Sequence, residues 1–190
     1  MSEHAALSKG QRFDDVVICL HWITLALVVA QFSSAWLLSA AGGTDQAAAL
    51  LRFHRSLGIV IWLVTVCRLM WRLLLADLPP FPQNMPKLQQ QVAKLNEYGL
   101  YVLLIFQPLT GLAYTLFRGR PFPLFFWQVP KLISGDRGLS DWFHRVHEIG
   151  AFALLLLITV HALAALFHRF ILRDGILQRM LPSTPSLHGD

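Results

Sequence analysis

Charged residues are scarce in this chain. Only 14% of its 190 residues are charged, whereas 55% are hydrophobic, and soluble domains have about a quarter of charged residues. Cysteine is almost absent too: Cys19 and Cys67 lie far apart in apolar runs, so we expect buried, inert thiols and no disulfide framework. The composition therefore excludes an ordinary soluble domain and indicates a membrane protein.

The basic residues do not form a stripe. The net charge is +5 and the pI is near 9.7, but Lys and Arg are spread among the polar connections between apolar runs. This distribution argues against nucleic acid as a partner and favours the anionic groups of the lipid bilayer or of a bound cofactor.

Four apolar runs are long enough to span roughly 30 Å of hydrocarbon as helices. Since backbone polar groups in lipid must be satisfied within the segment, helices are the structure expected for them. We predict an all-α membrane protein, a single domain over 1–190 built as a four-transmembrane-helix bundle. The aromatic connection 118–145 is predicted to lie on the membrane interface. The predicted spans are 16–38, 57–75, 98–117 and 147–170.

The charge bias across these spans predicts their orientation. Nine Lys and Arg residues fall on the side that holds both termini and seven on the other side. By the positive-inside rule, both termini are predicted to be cytoplasmic.

Histidines are the unusual feature of the spans. A single histidine in a span can be a hydrogen-bonded residue of the bundle, but several together mark a functional site. His147 and His161 are fourteen residues apart, so they share one helix face and lie roughly 21 Å apart along the axis. With alternating spans, His54 lies level with His147 on the outer side, and His21 lies level with His161 on the inner side.

Two imidazoles facing each other in a bundle can hold the iron of a haem b. The sequence has no Cys-x-x-Cys-His motif, so any haem is expected to be bound non-covalently. A zinc site is the alternative, but zinc requires three or four ligands at one level. A haem-free structural or metal-sensing membrane protein also remains open.

The sequence resembles the bacterial cytochrome b-561 family over nearly its whole length. The resemblance rests on "RFDDVVICLHW", "RFHRSLGIVIWLVTVCRLMWRL", "PLTGLAYTLFRGRPF" and "HEIGAFALLLLITVHALAALFHRFILRDGILQRMLP". It implies a di-haem cytochrome b of the bacterial inner membrane, with two bis-His haems b ligated by His21, His54, His147 and His161. His144, one turn before His147, could replace it as a ligand.

The resemblance also implies an electron-transfer oxidoreductase. Family members of this length include superoxide oxidases, which pass the electron of superoxide to ubiquinone. We expect Arg52 and Arg55, which flank His54, to bind haem propionates, and the other basic residues of the outer side to attract a small anion. His168, on the face of His161, could hydrogen-bond a quinone or could simply be an interfacial residue. No residue is assigned to catalysis.

The alternative function is a cytochrome b subunit that passes electrons between a partner dehydrogenase or hydrogenase and quinone. The short connections and the four spans argue against it, and we infer no obligate protein partner.

Overall fold

Helices dominate the computed structural model, which describes residues 12–43, 45–82 and 85–182. Each of the four long helices is long and apolar enough to cross a membrane, with a mean hydropathy between 1.6 and 2.4. The prediction of an all-α, four-span bundle is confirmed. The helices are α1 (Asp15–Ala41), α2 (Asp45–Leu74), α3 (Lys87–Phe117) and α4 (Arg137–Phe167), followed by a π-helical turn (His168–Leu172) and a 3-10 turn (Leu177–Met180).

Short connections make neighbouring helices antiparallel. Helix α1 packs against α2, α2 against α3, and α3 against α4. We call the end of the bundle with Asp14 and His168 the terminal end. The opposite end, with the α1–α2 turn and the connection 118–136, is called the loop end.

Helices α2, α3 and α4 begin earlier than the sequence predicted. Residues 137–145, predicted as part of an interfacial loop, form the first turns of α4. The prediction counted only the apolar residues of each span. The backbone hydrogen bonds of a helix continue through the polar residues outside the hydrocarbon, so the helices are longer than the apolar runs. Asp136 starts α4 as its N-cap, because its Oδ1 accepts from the backbone N–H of Leu139 at 2.9 Å.

The remaining connection at the loop end is folded against α2. It contains a small antiparallel hairpin, β1 (Phe122–Leu124) and β2 (Trp127–Val129), whose turn is anchored by a 2.7 Å bond from the Phe125 N–H to Ser56 Oγ. At the base of the connection, Gly119 has φ +62° and lies so close to the Gly135 backbone that a Cβ there would be 2.4 Å away. Glycine is required at this turn for both reasons.

The terminal end is closed by the segment after α4. Trp22 Nε1 donates to the carbonyl of Met180 at 2.8 Å, and Arg12 donates to that of Leu181 at 2.9 Å. Arg179 donates to the carbonyl of Pro80 at 2.8 Å. The segment therefore fastens the start of α1 to the α2–α3 connection.

A small apolar core joins all four helices near the middle of the bundle, while much of the remaining apolar surface faces outward. Trp36 is 82% exposed and Phe152 is 75% exposed, which suits contact with lipid. Cys19 and Cys67 are also exposed on the helices, so the expectation of buried thiols was wrong: an apolar run in a membrane has an outer face as well as an inner one. The core residues are Val28, Leu57, Ile61, Leu104 and Leu154.

Asp14 ties the start of α1 to the end of α2. Its Oδ1 accepts from the N–H of Val17 at 2.9 Å, and its Oδ2 accepts from Trp71 Nε1 at 3.0 Å. Burial acts to raise the pKa of Asp14, but the hydrogen bonds from Trp71 and the backbone outweigh it, so the pKa lies below its ordinary value of 3.8.

Replacing Asp14 by alanine is expected to lower the free energy of unfolding by about 1–2 kcal/mol, because an N-cap and the hydrogen bond to a half-buried indole are lost. The contribution of Asp14 is present above pH 3.8 and is lost as the pH falls through the lower pKa of the folded state. Thermal unfolding in detergent at several pH values measures it. Asp15→Ala, at an exposed neighbour, is the control; equal losses in the two variants would contradict the assignment.

Candidate functional site: two histidine pairs

Four histidines lie in two facing pairs between helices of the bundle. His21 of α1 faces His161 of α4 with ring centroids 6.1 Å apart and an interplanar angle of 54°. His54 of α2 faces His147 of α4 at 6.3 Å and 82°. His161 is exposed and the other three are half-buried. These are the two pairs proposed from the fourteen-residue spacing.

The separation within each pair suits a metal ion held between two imidazoles. A ligating nitrogen lies about 2 Å from its metal, and about 1.1 Å from the centre of its own ring, so two imidazoles in line across one ion have centroids about 6.2 Å apart. The observed 6.1 and 6.3 Å match this value. Among the described residues no group of three or more His, Cys, Asp or Glu could hold a metal, and the zinc alternative gains no support.

A large apolar cavity adjoins the His54–His147 pair. Its volume is about 630 Å³, and its lining includes both rings together with Phe32, Ile59 and Leu112. This volume lies within the range of cofactor sites, and apolar walls with a few polar groups are typical of them. The cavity and its two imidazoles fit a haem b.

Hydrogen bonds orient both rings of this pair. The Nδ1–H of His147 points to the carbonyl of Gln107 and to Thr110 Oγ1, each at 3.0 Å. Ser34 Oγ donates to a backbone carbonyl and so accepts from Nδ1 of His54 at 3.0 Å. With Nδ1 protonated in both rings, Nε2 is the nitrogen that can bind a metal. The Gln31 amide lies 3.2 Å from Nε2 of His54.

Helix α3 approaches His147 closely at Gly111. A Cβ at this position would lie 2.9 Å from Cε1 and 3.1 Å from Nδ1 of the imidazole, so only glycine leaves room for the ring. Gly111→Ala is expected to displace the His147 ring, break its Nδ1 bonds and lower the haem content per chain below that of the parent.

The pyridine haemochrome assay on the purified protein measures the effect at Gly111. Gly99→Ala is the matched control, since a Cβ there meets Leu157 Cδ1 at 2.8 Å, a flexible apolar end and no histidine. Equal haem loss in the two variants would show that α3–α4 packing, and not the His147 ring, is the cause.

His144 does not face His54. Its ring lies 4.6 Å from that of Tyr114, and its Nδ1 is 3.6 Å from Glu148. The ring that faces His54 is therefore that of His147, and His144 also lines the same cavity.

The arginines beside His54 differ from each other. Arg55 lines the large cavity, lies 5.7 Å over the Phe122 ring and has a buried Nε without a partner. Arg52 is exposed and is absent from the residues that line the cavity. The structure instead brings Arg118 and Arg120 to Arg55, around a second cavity of about 190 Å³. In the sequence, Gly119 between these two arginines predicts a turn, but nothing there indicates that the turn lies beside Arg55.

His168 lies at the terminal end and is only 7% exposed. Gln89 Nε2 donates to its Nε2 at 2.9 Å, and its Nδ1–H donates to Asp174 in a short bond. Neither partner was anticipated from the sequence, since polar residues at helix ends carry no periodic signal.

The remaining contacts concern His21. Arg68 Nη2 donates to its Nδ1 at 3.1 Å, and the Trp22 ring packs edge-on at 5.5 Å. The contact between Arg68 and His21 was not predicted from the sequence.

Comparison with known proteins identifies the family. Residues 12–183 match the family described as prokaryotic cytochrome b561. The chain belongs to that family. Membership makes it a multi-pass membrane protein of electron transport that binds haem b.

Three bacterial relatives match this chain over almost their whole length. Cytochrome b561 homolog 1 of Escherichia coli K12 is 30% identical over 172 residues, which cover 90% of this chain and 97% of the relative. Cytochrome b561 homolog 2 of the same organism is 25% identical over 181 residues, 94% and 96% of the two chains. A probable superoxide oxidase CybB of Yersinia pestis is 29% identical over 172 residues, 90% and 97%, and this likeness indicates an oxidoreductase.

Proposed function

We propose that this cytochrome b561 carries two haems b and passes electrons from superoxide, at the loop end, to ubiquinone near the terminal end. The observation that carries the proposal is the geometry of α4, which contributes one histidine to each of two pairs with metal-bridging separation. His21 and His161 would hold the iron of one haem, and His54 and His147 that of the other. A bound haem b supplies an iron that accepts and releases one electron at a time.

The chain's own residues set the distance between the two pairs. Fourteen residues of α4 separate His147 from His161, roughly 21 Å along the axis. Leu154 lies seven residues from each and belongs to the apolar core with Val28 and Leu104. This packing holds the ligands in place and keeps water out of the region between them.

Superoxide is an anion, and the loop end offers a site for one. Arg55, Arg118 and Arg120 surround a cavity that adjoins the one lined by His54 and His147. Arg55 also serves a haem propionate there. Arg52, although exposed, adds to the positive field outside the cavity.

Ubiquinone is placed at the cluster of Gln89, His168 and Asp174. With Gln89 displaced and a proton taken up on Nε2, which accepts from Gln89 in the structure, His168 would donate to a quinone carbonyl while Asp174 holds the ring at Nδ1. Two superoxide anions give one electron each, and one ubiquinone takes both with two protons. His168 and Asp174 are the groups at this end that can transfer a proton to it.

The orientation of the protein in the membrane is part of the same proposal. Both termini are placed in the cytoplasm and the protein in the bacterial inner membrane, so that the arginine cluster faces outward. The quinone site then lies within reach of cytoplasmic protons.

The decisive experiment uses the purified chain. Superoxide is generated with a ubiquinone analogue present, and the haem absorption bands and the quinol formed are followed. Reduction that is prevented by superoxide dismutase supports the proposal. No reduction by superoxide, together with co-purification of a large iron–sulfur partner, would instead support a subunit that receives electrons from a dehydrogenase or hydrogenase.

His168→Gln is expected to slow quinol formation at least about tenfold, because a hydrogen-bonding proton donor is lost, while haem content and haem reduction by superoxide stay unchanged. Stopped-flow measurement separates the two steps. His144→Gln, at the loop end, is the matched control. Unchanged quinol formation in His168→Gln would remove His168 from the quinone site.

A further inference from the structure

Arg68 is a cation in the membrane-spanning part of α2. One of its terminal nitrogens, Nη2, donates to Nδ1 of His21 at 3.1 Å, and its guanidinium carbon lies 5.3 Å over the ring of Tyr101, which is 8% exposed. Its Nε is buried and has no hydrogen-bond partner. A guanidinium has five N–H donors in a planar fork, so its donors exceed the acceptors that these contacts provide.

The nearby carboxylate belongs to another arginine. Glu97 of α3 is bound by Arg72 through two contacts, at 2.8 and 3.0 Å. In the described part of the chain, no Asp or Glu lies within ion-pair distance of Arg68. Of these two arginines, which are one turn apart, only Arg72 is paired with Glu97. Arg68, which contacts His21, has no acidic partner among the described residues.

A charge inside a membrane is costly unless it is paired, and such residues are usually functional. The contact with His21 and the cation–π contact with Tyr101 stabilise Arg68 only in part, because neither partner is an anion, and the contact with His21 would end when that ring binds iron through Nε2 and carries its proton on Nδ1. The guanidinium of Arg68 therefore lacks an anionic partner next to the His21–His161 pair. This partner should be planar, so that it can accept hydrogen bonds from two parallel N–H donors. A carboxylate meets both requirements.

We propose that Arg68 binds a propionate carboxylate of the haem held by His21 and His161 and raises the reduction potential of that haem. The inference rests on the proposed function, which places a haem at this pair. Haem b carries two propionates as its anionic groups. A cation beside the haem favours the reduced form, which has one more negative charge, so removing the cation makes the potential more negative.

Arg68→Gln and Arg68→Lys in the complete haem-loaded protein test the proposal, with Arg72→Gln as the matched control one turn along the same helix. Potentiometric titration gives the two haem midpoints. Redox-difference infrared spectra of protein labelled with carbon-13 at the haem carboxylates report on the propionates directly. If Arg68 only supported the fold, its replacement would neither shift the midpoint of one haem alone nor shift the labelled carboxylate bands.

In Arg68→Gln, one of the two midpoints is expected to become more negative while the other stays, and the labelled carboxylate bands are expected to shift. Arg68→Lys keeps the positive charge but loses the planar set of N–H donors. The haem midpoint should therefore stay near that of the parent while the labelled carboxylate bands shift. Arg72→Gln should leave the bands as in the parent. Labelled bands that are identical in the parent and Arg68→Gln would overturn the proposal, as would unchanged midpoints.

Failure of the two-haem proposal gives a different result. A parent protein with one haem per chain would contradict the two-haem proposal, and the labelled bands of that one haem would still show whether Arg68 binds its carboxylate. Two haems in the parent, with no response to Arg68→Gln, would contradict only the role of Arg68.

Discussion

Replacing His161 by alanine is expected to halve the haem content, from about two to about one per chain, and to reduce quinol formation from superoxide to background. In the proposed arrangement His161 would share one haem with His21, and a single histidine would leave the iron without its second protein ligand. The His54–His147 pair is bound to other side chains, among them Gln107, Thr110 and Ser34. Its haem should therefore remain and still be reduced by superoxide.

The pyridine haemochrome assay and rapid-mixing spectra check both parts of this result. His144→Ala is the control: it removes a histidine that faces Tyr114 and not another histidine, and it should keep both haems. If His161→Ala retained two haems, the assignment of the His21–His161 pair would be wrong. Loss of both haems would instead indicate that the bundle had not folded, and His161→Gln, closer in size to histidine, would then be measured.

Neutralising Arg118 and Arg120 together is expected to slow the reduction of haem by superoxide about tenfold or more at low salt, since a positive cleft raises the association rate of an anion by about 10–10³. The two side chains line the small cavity with Arg55. The double variant Arg118→Gln/Arg120→Gln leaves Arg55 in place over Phe122, so the large cavity should keep its haem.

The ionic-strength dependence separates steering from structural damage. In the parent protein the rate should fall as salt is added, because screening shortens the range of the charges, and in the double variant this dependence should be much weaker. Lys131→Gln removes an exposed charge of the same connection and serves as the control. A double variant with the rate and salt dependence of the parent would show that the anion enters elsewhere.

The sequence predicted the spans and the histidine pairs for physical reasons. A helix in lipid needs a long apolar run, and fourteen residues return to one face of a helix, so the positions of His147 and His161 constrain those of His21 and His54. The starts of α2, α3 and α4 were missed because their first turns are polar, which in a sequence looks like a loop.

Contacts between side chains of different helices could not be read from one sequence. The partners of His147 and His168, namely Gln107, Thr110, Gln89 and Asp174, are polar residues with no periodic pattern of their own. The rotation of each helix about its axis decides them, and packing sets that rotation. The same holds for Cys19 and Cys67, whose position in an apolar run did not reveal which face they occupy.

The apolar core around Leu154 has an electrical consequence. It consists of aliphatic side chains from all four helices, which carry no group that could pass a proton along with an electron. In the proposed orientation, each electron that passes this layer moves negative charge from the outer to the cytoplasmic side, where quinone reduction also consumes protons. Removal of superoxide would then be electrogenic, adding to the membrane potential of the cell instead of dissipating it.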